Sequence, residues 1–177
     1  ALVALPLVLP PTVLGFYLLL GLGPRSPLGR AFESAAGHPF PFSFEGLLIA
    51  SVLYSLPFAV QPFAAALAAV DHRLLEASYT LGASRLATFF RVSLPLARRG
   101  VLSGAVLAFA HTLGEFGVVL MVGGNVAGET RTLSISIFDA VEQLDYARAS
   151  ATSLFLLGVS FAVLVATHLL RGRAPSP

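Results

Sequence analysis

Four stretches of this sequence are each long enough and apolar enough to cross a lipid bilayer as a helix. They cover residues 1–23, 46–70, 100–124 and 149–170. A hydrocarbon core about 30 Å thick requires about 20 apolar residues per helix, and backbone amides cannot stay unpaired inside it. Only 11% of the chain is charged, against about a quarter of an ordinary soluble domain. The sequence therefore predicts an all-α fold, a single polytopic transmembrane helical bundle over residues 1–177.

The distribution of arginine predicts which connections face the cytoplasm. Residues 71–99 contain five arginines and two acidic residues, and the tail after Leu170 adds Arg171 and Arg173. By the positive-inside rule both segments lie in the cytoplasm, whereas residues 24–45 and 125–148 lie outside. We therefore expect a multi-pass protein of the cytoplasmic (inner) membrane.

Prolines and helical spacing refine this outline. We expect kinks or breaks in the first two spans at Pro6, Pro10, Pro11, Pro57 and Pro62. The outer connection at residues 24–45 is rich in proline, glycine and phenylalanine, which predicts a connector without a continuous helix. The apolar residues of 132–148 recur at helical spacing, so a short interfacial or re-entrant helix is predicted there.

Several classes of function find no support in the sequence. Cysteine is absent, which excludes disulfides, thiolate metal sites and cysteine nucleophiles. There is no phosphate-binding loop of the G-x4-G-K-[ST] type. The sequence also shows no Ser-His-Asp set, no paired catalytic carboxylates, and no basic surface for nucleic acid. We expect a chain that is not an enzyme and binds no cofactor or metal itself. Because it begins at Ala1 within an apolar run, we also expect an N-terminal part to be missing.

Residues 71–99, the coupling loop, carry the most specific motif. It reads Glu76-Ala77-Ser78, then Gly82, then Val92-x-Leu94-Pro95, or E-A-x4-G-x9-hydrophobic-x-L-P. Residues 74–80 and 84–90 lack proline and glycine, so each is predicted to be helical, with Gly82 forming the sharp turn between them. Pro95 is then expected to separate the coupling loop from the next membrane helix.

This motif resembles the EAA loop of the permeases of ABC importers. The resemblance implies the type I importer fold, with Glu76, Ala77 and Gly82 seated in a cleft of a cytoplasmic ABC ATPase subunit that carries the ATP-Mg. It also implies a homodimer in membrane lipid. Ser78 stands where the family usually has alanine, a change between small residues that is expected to leave docking intact. The alternative is an ordinary basic loop with no partner.

Other segments resemble the molybdate permeases within that family. They are residues 5–20, His111 to Gly117 (HTLGEFG), Gly123 to Asn125 (GGN) and Gly128 to Ala149 (GETRTL and beyond). The resemblance implies import of molybdate delivered by a periplasmic or lipoprotein molybdate-binding protein. The LGEFG and GN patterns also occur in sulfate permeases, so tungstate and sulfate or thiosulfate remain alternatives.

The third span and the residue that follows it contain the candidate gate or pore residues. They are Thr112, Gly114, Glu115, Gly117 and Asn125. In a helix starting near Gly100, Glu115 would lie about 22 Å along the axis, in the outer half of the bilayer. An acid at membrane depth indicates function, but a carboxylate repels an oxyanion. We therefore expect Glu115 to position the gate by accepting hydrogen bonds, for example from Thr112, rather than to contact the anion.

Two other classes of protein remain to be separated. A secondary transporter driven by an ion gradient needs ionisable residues at the bilayer midplane, and Glu115 is the one acid within a predicted span. For a membrane anchor or sensor without transport activity, a docking loop of this kind would be superfluous.

Overall fold

The computed structural model describes residues 2–171, which form α-helices joined by short connections and contain no β-strand. A 3₁₀ turn at Leu2–Ala4 leads into the first helix. The helices are α1 (Leu5–Val8), α2 (Pro11–Leu22), α3 (Pro27–Ala36), α4 (Phe44–Ala68), α5 (His72–Thr80), α6 (Arg85–Thr88), α7 (Leu94–Leu113), α8 (Gly117–Gly123), α9 (Leu133–Glu142) and α10 (Tyr146–Arg171). Arg173 and the side chain of Arg171, which entered the orientation argument, lie outside the described residues.

Three described helical runs are long and apolar enough to span a membrane: α4, the run Arg85–Leu113, and α10. The first predicted span is different, because it is broken between α1 and α2. Pro10 and Pro11 have no backbone N–H to continue the α1 ladder, and Pro11 instead occupies the first turn of α2, where no such donor is needed. The expected proline break is confirmed, and α2 is about 18 Å long.

The first outer connection contains a helix that the sequence argument missed. The Ser26 side chain caps α3 by accepting a hydrogen bond from the Gly29 N–H at 2.8 Å, and Pro27 begins the helix. Gly37 ends it with a φ of +80°, a conformation that glycine adopts without strain. Proline therefore marks the beginning of a helix here, where we expected it only to prevent one.

Pro95 does not separate the coupling loop from the membrane helix, contrary to the prediction. Residues Phe89–Ser93 form a π-helical turn between α6 and α7, and the Leu94 N–H donates to the Phe89 carbonyl across it. This π turn lies directly before Pro95, which has no N–H to donate. The second predicted helix of the loop is thus the first part of the continuous run Arg85–Leu113.

The predicted single span over residues 100–124 is wrong. Helix α7 ends at Leu113, Gly114 caps it, and α8 begins only at Gly117. Phe116 has φ −128° and ψ −50°, outside the helical region. Residues 114–116, the helix break, therefore divide this segment into a long helix and a seven-residue helix.

Helix α4 packs along α7 and also contacts α8, and glycines bring the first pair together. A Cβ added to Gly104 would lie 2.7 Å from the ring of Phe63, and one added to Gly100 would clash with Cβ of Ala66. Close approach through small residues is typical of membrane helices. The core beside this pair contains Phe40, Ala50, Tyr54, Val118 and Val122.

The two outer connections meet at one end of the bundle. The Phe42 N–H donates to the Val122 carbonyl at 2.8 Å, and a cavity of about 630 Å³ lies between residues 38–45 and Gly128 and Glu129. Helix α9 lies in the second connection, where the short helix was predicted. The coupling loop follows the other end of α4, about 37 Å away, so the two sets of connections lie on opposite sides.

Labelling of single cysteines should confirm which side is cytoplasmic. Leu81 is 88% exposed in the coupling loop, and Ala127 is exposed in the second outer connection. With the chain expressed alone, we expect an impermeant thiol reagent to label Ala127→Cys in intact cells and Leu81→Cys only in inverted vesicles. Labelling of Leu81→Cys in intact cells would contradict the orientation.

Candidate functional site

The turn of the coupling loop has a well-defined backbone geometry centred on Gly82. Its φ is +84°, in the left-handed region that glycine adopts freely. The Gly82 N–H donates to the Tyr79 carbonyl at 2.9 Å, and the Ala83 N–H donates to the Ser78 carbonyl at 3.1 Å. This pair of bonds is the Schellman arrangement that ends a helix at a glycine. Gly82 therefore forms the turn between the two helices of the loop, as the sequence predicts.

The residues around this turn are turned toward solvent. Glu76 and Ala77 are exposed, and a Glu76 carboxylate oxygen lies 3.1 Å from Nδ1 of His72 on the same helix. Leu81 is 88% exposed and Leu86 is 69% exposed. Large exposed apolar side chains at the tip of a charged loop are typical of surfaces that contact another protein or a membrane. The sequence argument missed both leucines, although their place on either side of the turn glycine was a usable signal.

The remaining motif residues lie inside the loop or along the helix that leaves it. The Ser78 hydroxyl lies 2.9 Å from the hydroxyl of Thr88 in α6. Val92 and Leu94 are half-buried in the π turn and at the start of α7, whereas Pro95 is exposed. The motif therefore has two parts: Glu76, Ala77 and Gly82 form a surface, and Val92, Leu94 and Pro95 form the entry to the membrane helix.

Glu115 lies in the helix break and caps the helix that follows it. Its side chain is only 3% exposed, and its Oε1 accepts a hydrogen bond from the Val118 N–H at 2.8 Å. The first turn of a helix has N–H groups without intrahelical partners, and in α8 these are surrounded by buried valines. A carboxylate at that point satisfies a donor and interacts favourably with the helix dipole.

His111 faces Glu115 from the last turn of α7. Its Nε2 lies 3.9 Å from Oε2 of Glu115, and its ring stacks on Phe58 of α4 with centroids 3.7 Å apart. Tyr54 lies on α4 near the same ring, at 5.1 Å. The His111 Nε2 is buried and has no hydrogen-bond partner among the described residues. Aromatic packing therefore ties the end of α7 to the middle of α4.

Thr112 does not bond to the Glu115 side chain, which corrects the sequence expectation. Its hydroxyl donates to the Ala108 carbonyl at 2.9 Å and lies 2.7 Å from the hydroxyl of Ser55. Ser55 is near the centre of α4. The helix break therefore begins level with the middle of that helix.

Gly114 is the first residue of the helix break and Gly117 is the first residue of α8, and this part of the backbone contacts two other helices. A Cβ added to Gly117 would lie 2.6 Å from Cβ of Pro11, so glycine permits α8 to pack against the start of α2. The Ser134 hydroxyl of α9 donates to the Glu115 carbonyl. Helices α2, α4, α7, α8 and α9 are therefore all in contact at or beside the helix break.

Asn125 lies away from the other four gate candidates, beyond the far end of α8. Its Oδ1 accepts a hydrogen bond from Nε of Arg131 at 2.6 Å, and its Nδ2 donates to Asp139 at 3.4 Å. Arg131 also lies 4.0 Å from the Asp139 carboxylate. Asn125 therefore orders the outer connection. Within residues 2–171 no three histidine or acidic side chains are grouped as metal ligands.

Comparison with known proteins gives a consistent result along nearly the whole chain. The profile of the family described as binding-protein-dependent transport system inner membrane component matches residues 1–174. The chain is 52% identical over 168 residues to the molybdenum transport system permease protein ModB of Azotobacter vinelandii, covering 95% of this chain and 74% of that protein. It is 38% identical over 160 residues to ModB of Escherichia coli K12, covering 90% and 69%. The putative molybdenum transport system permease protein YvgM of Bacillus subtilis is also 38% identical over 160 residues, covering 90% and 70%.

Proposed function

This chain belongs to the family of binding-protein-dependent transport system inner membrane components, and we propose that it is the membrane-spanning permease subunit of an ATP-driven importer of molybdate. The relatives named as molybdenum permeases support the choice of anion. The observation that carries the transport role is the coupling loop, in which a glycine turn holds two exposed leucines beside the acid and alanine of the motif.

The working unit in this proposal contains two copies of the chain and two ATPase subunits. A binding protein delivers molybdate from outside, and the ATPase subunits receive the coupling loops inside. Closure of the ATPase subunits draws the two loops together and opens the path between the membrane subunits outward. Hydrolysis reverses this movement and releases the anion into the cytoplasm.

The helix break is the proposed gate. Its acid is directed to a backbone amide, so the carboxylate shapes the gate and does not bind the anion, which it would repel. The neighbouring hydroxyls of Ser55 and Thr112 are neutral and present no such barrier. Anion selectivity then resides mainly in the binding protein, where polar groups replace the hydration shell.

Uptake by cells tests this function and separates the alternatives. We expect cells that lack the chain to lose high-affinity uptake of labelled molybdate and to regain it with a plasmid-borne copy. Excess unlabelled molybdate or tungstate should suppress the uptake, and sulfate should not. Equal suppression by sulfate would indicate a sulfate permease. Uptake that survives ATP depletion and stops when the ion gradient is dissipated would indicate a secondary transporter.

A further inference from the structure

A hydrogen bond between two hydroxyl groups connects the two helices of the coupling loop. The Ser78 and Thr88 oxygen atoms are 2.9 Å apart, although ten residues separate them in the sequence. Thr88 is only 1% exposed and Ser78 is half-buried. A buried hydroxyl that loses its partner is costly, so this pair resists separation of the two helices.

The backbone of the turn does not provide the same connection. The Gly82 and Ala83 N–H groups donate back into α5, and the Ser84 hydroxyl caps α6 by accepting from the Ala87 N–H at 3.2 Å. The end of α5 and the start of α6 are thus capped separately. Among the described residues no backbone hydrogen bond joins α5 to α6, so the angle between the two helices depends on their side chains.

The second helix of the pair, α6, is the beginning of a long helical run. The helical run Arg85–Leu113 contains 29 residues, about 43 Å in length. One end of this run carries Thr88, and the other carries His111 and Thr112 beside the helix break. A displacement of α5 therefore reaches the proposed gate only if α5 and this run move together.

We propose that Ser78 and Thr88 are positioning residues that transmit movement of α5 to α7. This inference rests on the proposed function, because α5 is displaced by the ATPase subunit. The hydroxyl pair holds the two helices at a constant angle, so that the force applied to α5 moves the far end of α7. Without the pair, the angle between α5 and the helical run would change and α7 would follow incompletely.

The test is the number of ATP molecules hydrolysed per molybdate ion imported, measured with the complete transporter in proteoliposomes. Ser78→Ala and Thr88→Val each remove the bond, and valine keeps the shape of threonine. We expect the ratio to rise about three- to tenfold in each variant, the factor that corresponds to one net hydrogen bond. The double variant should be no worse than either single variant, because both remove the same interaction. Ser78→Thr should keep the wild-type ratio.

Thr80→Val is the matched control. Thr80 lies on the same helix, but its hydroxyl donates to the carbonyls of Glu76 and Ala77 within that helix, so the ratio should stay at the wild-type value. A wild-type ratio in Ser78→Ala and Thr88→Val would overturn the inference. Loss of the ATPase subunit from these variants would also overturn it, since the pair would then serve docking. Failure of the unaltered chain to bind any ATPase would instead refute the proposed function.

Discussion

Replacing Gly82 with valine is expected to abolish molybdate-stimulated ATP hydrolysis while the protein still inserts into the membrane. The φ of Gly82 is +84°, and a left-handed conformation costs an L-residue about 1–2 kcal/mol, more where the side chain is branched at Cβ. The turn would open, and the exposed side chain of Leu81 would be displaced. The measurement is ATP hydrolysis by membranes containing the complete transporter, together with the amount of ATPase that copurifies.

Asparagine at the same position is the matched control. It adopts the left-handed conformation far more readily than valine, and no heavy atom lies within 4 Å of a Cβ added there. Gly82→Asn should therefore retain most of the activity. If Gly82→Asn is as inactive as Gly82→Val, close approach of a partner requires the glycine and the conformational argument is wrong. Wild-type activity in Gly82→Val would remove the coupling role from the loop.

Replacing Glu115 with leucine is expected to eliminate uptake, whereas glutamine should retain much of it. Leucine removes the acceptor of the Val118 N–H, and an unsatisfied buried donor costs about 1–3 kcal/mol. Glutamine keeps an acceptor of similar shape, and its amide can donate to the unpaired Nε2 of His111. The measurement is initial molybdate uptake, normalised to the amount of protein in the membrane.

Passive leak distinguishes a structural role of Glu115 from a charge-based barrier. In proteoliposomes without ATP, Glu115→Gln should remain as impermeable to molybdate as the unaltered chain, because the cap on α8 is intact. Leak in Glu115→Gln that reaches the level of Glu115→Leu would contradict the structural role, since glutamine removes the charge and little else.

The sequence predicts the membrane helices well where hydrophobic length alone determines them. Helices α4 and α10 follow the predicted spans to within a few residues. The turn at Gly82 was also predictable, because few residues other than glycine readily adopt the left-handed conformation that reverses the chain so sharply. Helix α3 was not, since we expected the prolines of residues 24–45 to prevent a continuous helix and did not consider the capping role of Ser26.

The gate was harder to predict because its geometry depends on tertiary contacts. Apolar residues continue on both sides of Glu115, so the apolar pattern alone does not mark the end of α7. Two glycines around an acid, Gly114 and Gly117 beside Glu115, were the available signal for a break. The partner of Thr112 is Ser55, 57 positions away, and no local pattern identifies such a pair.

A cross-link between the coupling loop and the ATPase subunit tests the central claim most directly. The chain has no cysteine, so Leu81→Cys introduces a single thiol at a position that is 88% exposed. In membranes that contain the complete transporter, a short thiol-to-amine reagent should join Leu81→Cys to the ATPase subunit. The exposed outer variant Ala127→Cys should give no such product. Active molybdate uptake without a cross-link from Leu81→Cys, or an equal cross-link from Ala127→Cys, would contradict the account.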